Sequence, residues 1–161
     1  MRIGILSDIH DNIWALDEAL SRLADCDVLL CLGDICSPFT MIAIAEGFTG
    51  PVHVVWGNND GDREHVVHSV SRLGRVTFHG EFGELEFDGR RVAITHWPDL
   101  AQALAKGGQY ALVCHGHNHR RRVDQVGPTL LVNPGEVMGR FGEKSVAIYD
   151  TTAGSAEVLL F

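Results

Sequence analysis

The chain has 161 residues, of which 21 are acidic and 13 are basic, so its formal net charge is −8. This length predicts a single domain, residues 1–161, able to bury about two thirds of its unfolded surface without disulfides. The acidic balance argues against strong binding to nucleic acid or to anionic membranes, because both depend on clustered Lys and Arg. A small phosphorylated substrate remains compatible with this charge if a bound cation supplies positive charge locally.

Two features of the chain concern its location. No apolar segment reaches the roughly 20 residues of a membrane span, and Asp8 interrupts the N-terminal apolar run before a signal-peptide core could form. We therefore expect a cytoplasmic protein without a membrane partner. The four cysteines form no Cys-x-x-Cys pair, and we assign them no chemistry.

The first half of the chain alternates short apolar runs with helical patterns. Strands are predicted over 2–6, 28–32 and 51–56, and helical spacing of apolar residues occurs over 13–23, 38–47 and 66–73. Asp11 or Asn12 can cap the first helix and Ser37 the second. Alternation of strand and helix favours a parallel sheet.

The second half is richer in hairpins. Strands over 82–87 and 91–95 flank the two-residue turn Asp88-Gly89, and another hairpin turns at Gly127-Pro128. A short helix between Pro98 and Gly107 precedes a buried strand over 110–113, and two closing strands flank 151–155. Hairpins favour a second or mixed sheet, so we predict two packed sheets with helices outside them.

Side chains that can bind a metal follow five of the predicted strands. They are Asp8, His10, Asp34, Asn58, His96, His117 and His119. Open α/β sheets bind their ligands at the carboxyl ends of the strands. One such residue alone would be interpreted as a cap or turn residue, but seven at strand ends favour a metal site. Carboxylate, amide and imidazole donors suit Mn, Fe, Ni or Zn, and two ions would use all seven if one carboxylate bridges them.

These residues also carry a family resemblance. The ordered motifs are Asp8-Ile9-His10, Gly33-Asp34, Gly57-Asn58-Asn59-Asp60, His96 and Gly116-His117-Asn118-His119. They resemble the signature of the calcineurin-like metallophosphoesterases. The small size and the Asn133-Pro134-Gly135 loop resemble the compact bacterial and archaeal phosphodiesterase branch, which is related to the retromer subunit Vps29. The resemblance implies an α/β fold, a four-layer α/β/β/α sandwich with two mixed β-sheets.

The resemblance also implies a cofactor and a reaction. It implies two divalent metal ions, manganese being expected first and iron, nickel or zinc being alternatives. One ion would bind Asp8, His10 and His119, the other Asn58, His96 and His117, and Asp34 would bridge them. The implied reaction is hydrolysis of a small phosphodiester, in preference to a phosphomonoester, by water or hydroxide held between the ions. The alternative is a non-catalytic Vps29-like scaffold for protein interaction with a residual metal site, against which the intact set of seven ligands argues.

Three positions depart from the family pattern. Asp11 and Trp97 stand where the family usually has glycine, and Asn59 stands where many relatives have a histidine and members of the small branch often have a cysteine. An amide cannot donate a proton at neutral pH, so the group that protonates the leaving oxygen is left open, with Asp60, His115 or a metal-bound water as candidates.

We predict catalytic roles for Asp34, Asn59 and Asp60 and substrate contacts for Asn12 and Trp97. A helix cap explains Asn12 equally well, and a core or interface indole is the alternative for Trp97. The run Arg120 to Arg122 is interpreted as a solvated strand face, with contact to a substrate phosphate as the alternative. The sequence leaves the oligomeric state open and allows a homo-oligomer.

Overall fold

The computed structural model describes all 161 residues, which form eleven strands and four α-helices. The strands are β1 (Arg2–Leu6), β2 (Val28–Cys31), β3 (Val52–Val54), β4 (Val76–Phe78), β5 (Phe82–Phe87), β6 (Arg90–Thr95), β7 (Leu112–Cys114), β8 (Arg122–Val126), β9 (Thr129–Asn133), β10 (Ser145–Asp150) and β11 (Ser155–Leu160). The helices are α1 (Ile13–Arg22), α2 (Pro38–Gly47), α3 (Arg63–Val70), which continues into a 3₁₀ turn at Ser71–Leu73, and α4 (Pro98–Gly107). No helix combines the length and the apolar character needed to cross a membrane.

The strands form two mixed sheets. The six-stranded sheet has the order β11-β10-β1-β2-β3-β4, in which β1 to β4 are parallel and the β10-β11 hairpin is added antiparallel at one edge. The five-stranded sheet has the order β5-β6-β7-β9-β8, with β6, β7 and β9 parallel and with antiparallel strands at both edges. Each sheet therefore contains a parallel region, as strand-helix alternation predicts, with a hairpin at one edge of the six-stranded sheet and at both edges of the five-stranded sheet.

Three apolar clusters separate four layers. Successive side chains of a strand point to opposite faces of the sheet, so Leu29 packs with Leu16 under α1 while Leu30 lies between the two sheets. On the far side of the second sheet, Val113 packs against Ala101 of α4. The order of layers is α/β/β/α, and the predicted four-layer sandwich is confirmed.

Two local features differ from the expectations. Strand β4 was not predicted, because it has three partly exposed or exposed residues and pairs with a single neighbour, β3, at the edge of the sheet. Ser37 does not cap α2 with its side chain. Its hydroxyl donates to Oδ1 of Asp11 at 2.5 Å, and Asn12, whose Oδ1 accepts from the backbone N–H of Ala15, caps α1.

Candidate metal centre

The seven candidate ligand residues lie in loops at the carboxyl ends of central strands from both sheets. Asp8 and His10 follow β1, Asp34 follows β2, Asn58 follows β3, His96 follows β6, and His117 and His119 follow β7. Because these strands are parallel within each sheet and the sheets pack face to face, their loops meet at one edge of the sandwich. The structure brings all seven together, in two groups.

The first group contains Asp8, His10 and His119. Their ligand atoms all lie within 4.8 Å of one another. Oδ1 of Asp8 is 3.5 Å from Nε2 of His119 and 3.9 Å from Nε2 of His10. Oδ1 of Asp8 and Nε2 of His10 are buried without any hydrogen-bond partner, which is costly for polar atoms removed from water. A cation between these atoms would satisfy both, so the donor set fits a metal ion.

The second group contains Asn58, His96 and His117. Oδ1 of Asn58 lies 2.9 Å from Nδ1 of His117 and 3.2 Å from Nε2 of His96. Nδ1 of His96 is 2.7 Å from the carbonyl oxygen of Leu32, which can only accept a hydrogen bond, so Nδ1 carries the proton. The lone pair on Nε2 of neutral His96 therefore faces another acceptor, and a cation between them would stabilise this arrangement.

Asp34 lies between the two groups. Its Oδ2 is 3.5 Å from Nε2 of His10 in the first group and 3.5 Å from Nε2 of His96 in the second. Asn59 contacts both oxygens, through its backbone N–H to Oδ1 at 2.8 Å and through its amide nitrogen to Oδ2 at 2.9 Å. One buried carboxylate is thus within reach of both groups, which is the position that a bridging ligand requires.

The electrostatics of these side chains also suit a cation. Burial raises the pKa of Asp8, because the charged carboxylate loses its hydration. Burial also acts to raise the pKa of Asp34, but the His96 imidazole beside it and hydrogen bonds from Asn59 outweigh that effect and hold the pKa below its usual range. Burial acts to lower the pKa of His96, and the carboxylates of Asp34 and Asp8 reverse the effect and raise it. The pKa of Asp34 therefore favours its charged form, and a metal ion beside Asp8 would offset the cost of burying the Asp8 carboxylate.

Glu136 is a buried carboxylate in contact with a candidate ligand. Its Oε2 is 2.7 Å from Nδ1 of His119, and its Oε1 accepts from the backbone N–H groups of Phe141 and Gly142 at 2.7 and 2.6 Å. A proton held on Nδ1 leaves the lone pair of Nε2 directed at Asp8, in the manner of carboxylate-histidine-metal sites. The sequence analysis missed Glu136, whose only local signal is a single carboxyl group after the Asn-Pro-Gly loop.

Asp60 lies between two of the loops that carry candidate ligands. Its two oxygens accept hydrogen bonds of 2.7 to 3.1 Å from four backbone N–H groups, those of Asp34, Ile35, Cys36 and Gly57. The carboxylate therefore joins the loop after β2 to the loop after β3. Asp60 thus supports the ligand loops, and its predicted catalytic role stays a prediction.

The two expected substrate contacts have different surroundings. The amide of Asn12 is engaged at both ends, because its oxygen accepts from Ala15 and its nitrogen donates to the carbonyl of Met138 at 3.0 Å. Trp97 is half-buried, and its ring centroid lies 5.1 Å from that of His117 and 5.5 Å from that of His96. Trp97 therefore lines the second donor group, whereas Asn12 holds two loops together.

The ligand loops have an uncommon backbone. Five of the seven candidate ligands adopt a positive φ, between 46° and 72°, although they are not glycine: Asp8, His10, Asp34, His117 and His119. Such conformations cost energy and concentrate at functional sites. Gly116 has no positive φ, and a Cβ there would collide with the side chain of Ser7. Glycine at this position therefore allows the close approach of the two sheets.

The four-layer fold, with a candidate metal-binding donor set at the carboxyl edge of its sheets, is that of the metal-dependent phosphoesterases. The model of the calcineurin-like phosphoesterase superfamily domain matches residues 1–154. The chain belongs to this superfamily, and the resemblance found in the sequence is confirmed.

Comparison with individual proteins agrees with this assignment. The chain is 31% identical over 156 residues to a phosphodiesterase from Methanocaldococcus jannaschii, covering 94% of this chain and 93% of the relative. It superposes on an archaeal phosphodiesterase over the full length of both chains, with a TM-score of 0.92 and 27% identity. Vps29 from Entamoeba histolytica shares the fold, with a TM-score of 0.70 at 16% identity over 100% of this chain and 98% of Vps29. The protein is a hydrolase acting on phosphate esters and depends on metal.

Proposed function

We propose that this protein is a phosphodiesterase with two divalent metal ions. Asp8, His10 and His119 bind one ion, Asn58, His96 and His117 bind the other, and Asp34 bridges them. The observation that carries the proposal is the position of Oδ2 of Asp34, at 3.5 Å from one imidazole of each group. The named phosphodiesterase at 31% identity supports a diester substrate.

The chain contributes orientation and charge to this reaction. When bound, two cations supply an acidified water and positive charge beside the phosphoryl oxygens, which is what hydrolysis of a phosphate ester requires. Glu136 orients His119, and Asn59 holds both oxygens of Asp34 in place. Neither Ser7 nor Cys36 is needed as a nucleophile, and burial raises the pKa of the Cys36 thiol to about 12, so that it stays protonated.

Trp97 and Asn12 complete the proposal on the substrate side. Trp97 lies against His96 and His117, where its indole can contact an ester group of the substrate. Asn12 acts indirectly, since its amide connects the start of α1 to the loop at Met138. We further propose manganese as the preferred ion and the cytoplasm as the location, with residues 1–161 working as a single catalytic domain.

Metal reconstitution tests the proposal. Protein stripped by a chelator is loaded with Mn, Fe, Ni or Zn, and the bound metal per chain is counted alongside hydrolysis of bis(4-nitrophenyl) phosphate and of 4-nitrophenyl phosphate. We expect two ions per chain and faster turnover of the diester. His10→Ala should abolish turnover, whereas His65→Ala, which alters an exposed histidine on α3, should not. Absence of hydrolysis with all four metals would favour a Vps29-like scaffold.

A further inference from the structure

A pocket of about 300 Å³ opens beside the first donor group. It is lined by His119, Arg120, Arg121, Phe141, Gly142 and Glu143. His119 is shared between this pocket and the proposed metal centre, because its Nε2 faces Asp8 while its ring forms part of the pocket wall. A group bound in the pocket is therefore adjacent to the place where phosphate esters are hydrolysed.

The pocket presents an exposed aromatic ring. Phe141 is 72% exposed, and its ring meets the ring of His119 at a centroid distance of 5.1 Å and an interplanar angle of 87°. The loop is anchored, since the backbone N–H groups of Phe141 and Gly142 both donate to the buried Glu136. An apolar ring held in water beside a metal centre provides a stacking surface for an aromatic group.

The charge around this ring is positive, although the chain as a whole carries −8. Arg121 is paired with Glu143 at 3.2 Å, and Arg122 with Asp124 at 2.6 Å. The exposed guanidinium of Arg120 has no acidic partner, and that of Arg140 lies 5.7 Å from the centroid of the Phe141 ring, also without one. Unpaired arginines beside an aromatic ring provide both a stacking partner and a partner for an anion.

We propose that this pocket binds a nucleotide that forms one ester group of the substrate. The base stacks on Phe141, and a second phosphate on the same nucleotide pairs with Arg120. The pocket volume is at the lower end of the range for small-molecule sites, which suits one nucleotide. The acidic chain disfavours a longer nucleic acid. This inference rests on the proposed phosphodiesterase activity and adds its substrate class.

Three chromogenic diesters test the inference. Methyl 4-nitrophenyl phosphate has neither a base nor a second phosphate, the 4-nitrophenyl ester of thymidine 5′-phosphate adds the base, and its 3′-phosphorylated form adds the second phosphate. We expect kcat/KM to rise along this series. Phe141→Ala should lower kcat/KM for both thymidine substrates by roughly 5-fold or more relative to the methyl ester, because stacking of a base is lost. Arg120→Gln should remove the preference for the second phosphate, about 2- to 5-fold at low ionic strength.

Binding without turnover provides an independent measurement. Titration calorimetry with thymidine 3′,5′-bisphosphate and with thymidine 5′-phosphate should show tighter binding of the bisphosphate, and Arg120→Gln should equalise the two. Two variants serve as matched controls: Phe39→Ala, which truncates another exposed aromatic ring (55% exposed), and Arg72→Gln on the 3₁₀ turn. Neither control should change the kcat/KM ranking of the three diesters or the binding of the two nucleotides.

The outcomes separate the two proposals. If the methyl ester is hydrolysed with metal but Phe141→Ala and Arg120→Gln leave the substrate ranking and the binding of the bisphosphate unchanged, the nucleotide pocket is wrong and the phosphodiesterase stands. If no diester is hydrolysed with any metal, the proposed function itself fails. Equal effects of Phe39→Ala and Phe141→Ala would also overturn the pocket, because the loss would then not be specific to it.

Discussion

The side-chain amide of Asn59 donates a 2.9 Å hydrogen bond to Oδ2 of Asp34, and its backbone N–H donates one of 2.8 Å to Oδ1. Both oxygens of the proposed bridging carboxylate are therefore held by one residue. The amide that stands in place of the family's acid is engaged with this carboxylate, and an amide does not protonate a leaving oxygen at neutral pH. Asn59 therefore cannot assist the departure of a basic leaving group.

We expect the hydrolysis rates of methyl aryl and methyl alkyl phosphates to decrease steeply as the leaving group becomes more basic. Positioned acid catalysis is typically worth about 10² to 10⁴ in rate, and Asn59 cannot provide it. Single-turnover measurements across a series of leaving groups test this expectation. Asn59→His should accelerate esters with poor leaving groups more than activated ones, with metal content measured as the control. A flat dependence in the unmodified enzyme would show that another group, such as His115, acts as the acid.

Asp34→Asn should reduce turnover more than Asn58→Ala does when both variants are saturated with metal. A bridging carboxylate holds both ions and places negative charge between them, whereas Asn58 is one neutral ligand of one ion. Rates and bound metal per chain are measured over a titration of manganese. Near-normal turnover of Asp34→Asn at saturation would contradict the bridging role.

Glu136→Gln should weaken metal binding by roughly 10- to 100-fold, as is typical when the partner of a ligating histidine is altered. The glutamine offers a single acceptor oxygen, so it cannot accept both from Nδ1 of His119 and from the N–H groups of the Phe141 loop. Competition with a metal indicator measures the affinity. Glu143→Gln, in which an exposed carboxylate paired with Arg121 is altered, is the matched control. Equal affinities of the two variants would remove Glu136 from the site.

Asp60→Asn should lower the thermal stability of the metal-free protein. Asparagine has one acceptor oxygen, so two of the four backbone N–H groups now bound by the carboxylate lose their partner, at a cost of about 1 to 3 kcal/mol each. For a chain of this size we expect a decrease in Tm of roughly 5 to 15 °C. Asp25→Asn, at an exposed position, is the control. A stable Asp60→Asn variant with lost activity would instead support the catalytic role first expected for Asp60.

Trp97→Gly should change the selectivity among diesters without changing metal content. The indole lies beside His96 and His117, so its removal enlarges the space for one ester group and removes a stacking partner worth about 2- to 10-fold in relative rate. Relative kcat/KM values for aryl and nucleotide diesters measure this selectivity. Unchanged ratios would leave Trp97 with a purely structural role.

The sequence by itself determined the layers of the fold and the members of the donor set. Apolar periodicities of strand and helix are local, so they indicated most of the elements, including β1 and α1, directly. The donors Asp8, His96 and His117 are detectable for the same reason, because each follows a strand within a few residues. Their order along the chain also carried the resemblance to the family. Strand β4 escaped detection because it has only three residues, all partly exposed or exposed at a sheet edge, which is too short a run to establish a period.

The tertiary structure alone decided which side chains support the donors. Glu136 contacts His119 across 17 positions of the chain, and Asp60 and Asn59 contact the loop after β2 across 24 to 26 positions. Such contacts depend on which strands are neighbours within a sheet, β2 beside β3 and β7 beside β9, and no local periodicity records that order. The same holds for Phe141, which reaches the metal centre because Glu136 anchors its loop. A sequence pattern identifies donors by their residue type and their place after a strand, whereas a supporting residue is defined by its partner.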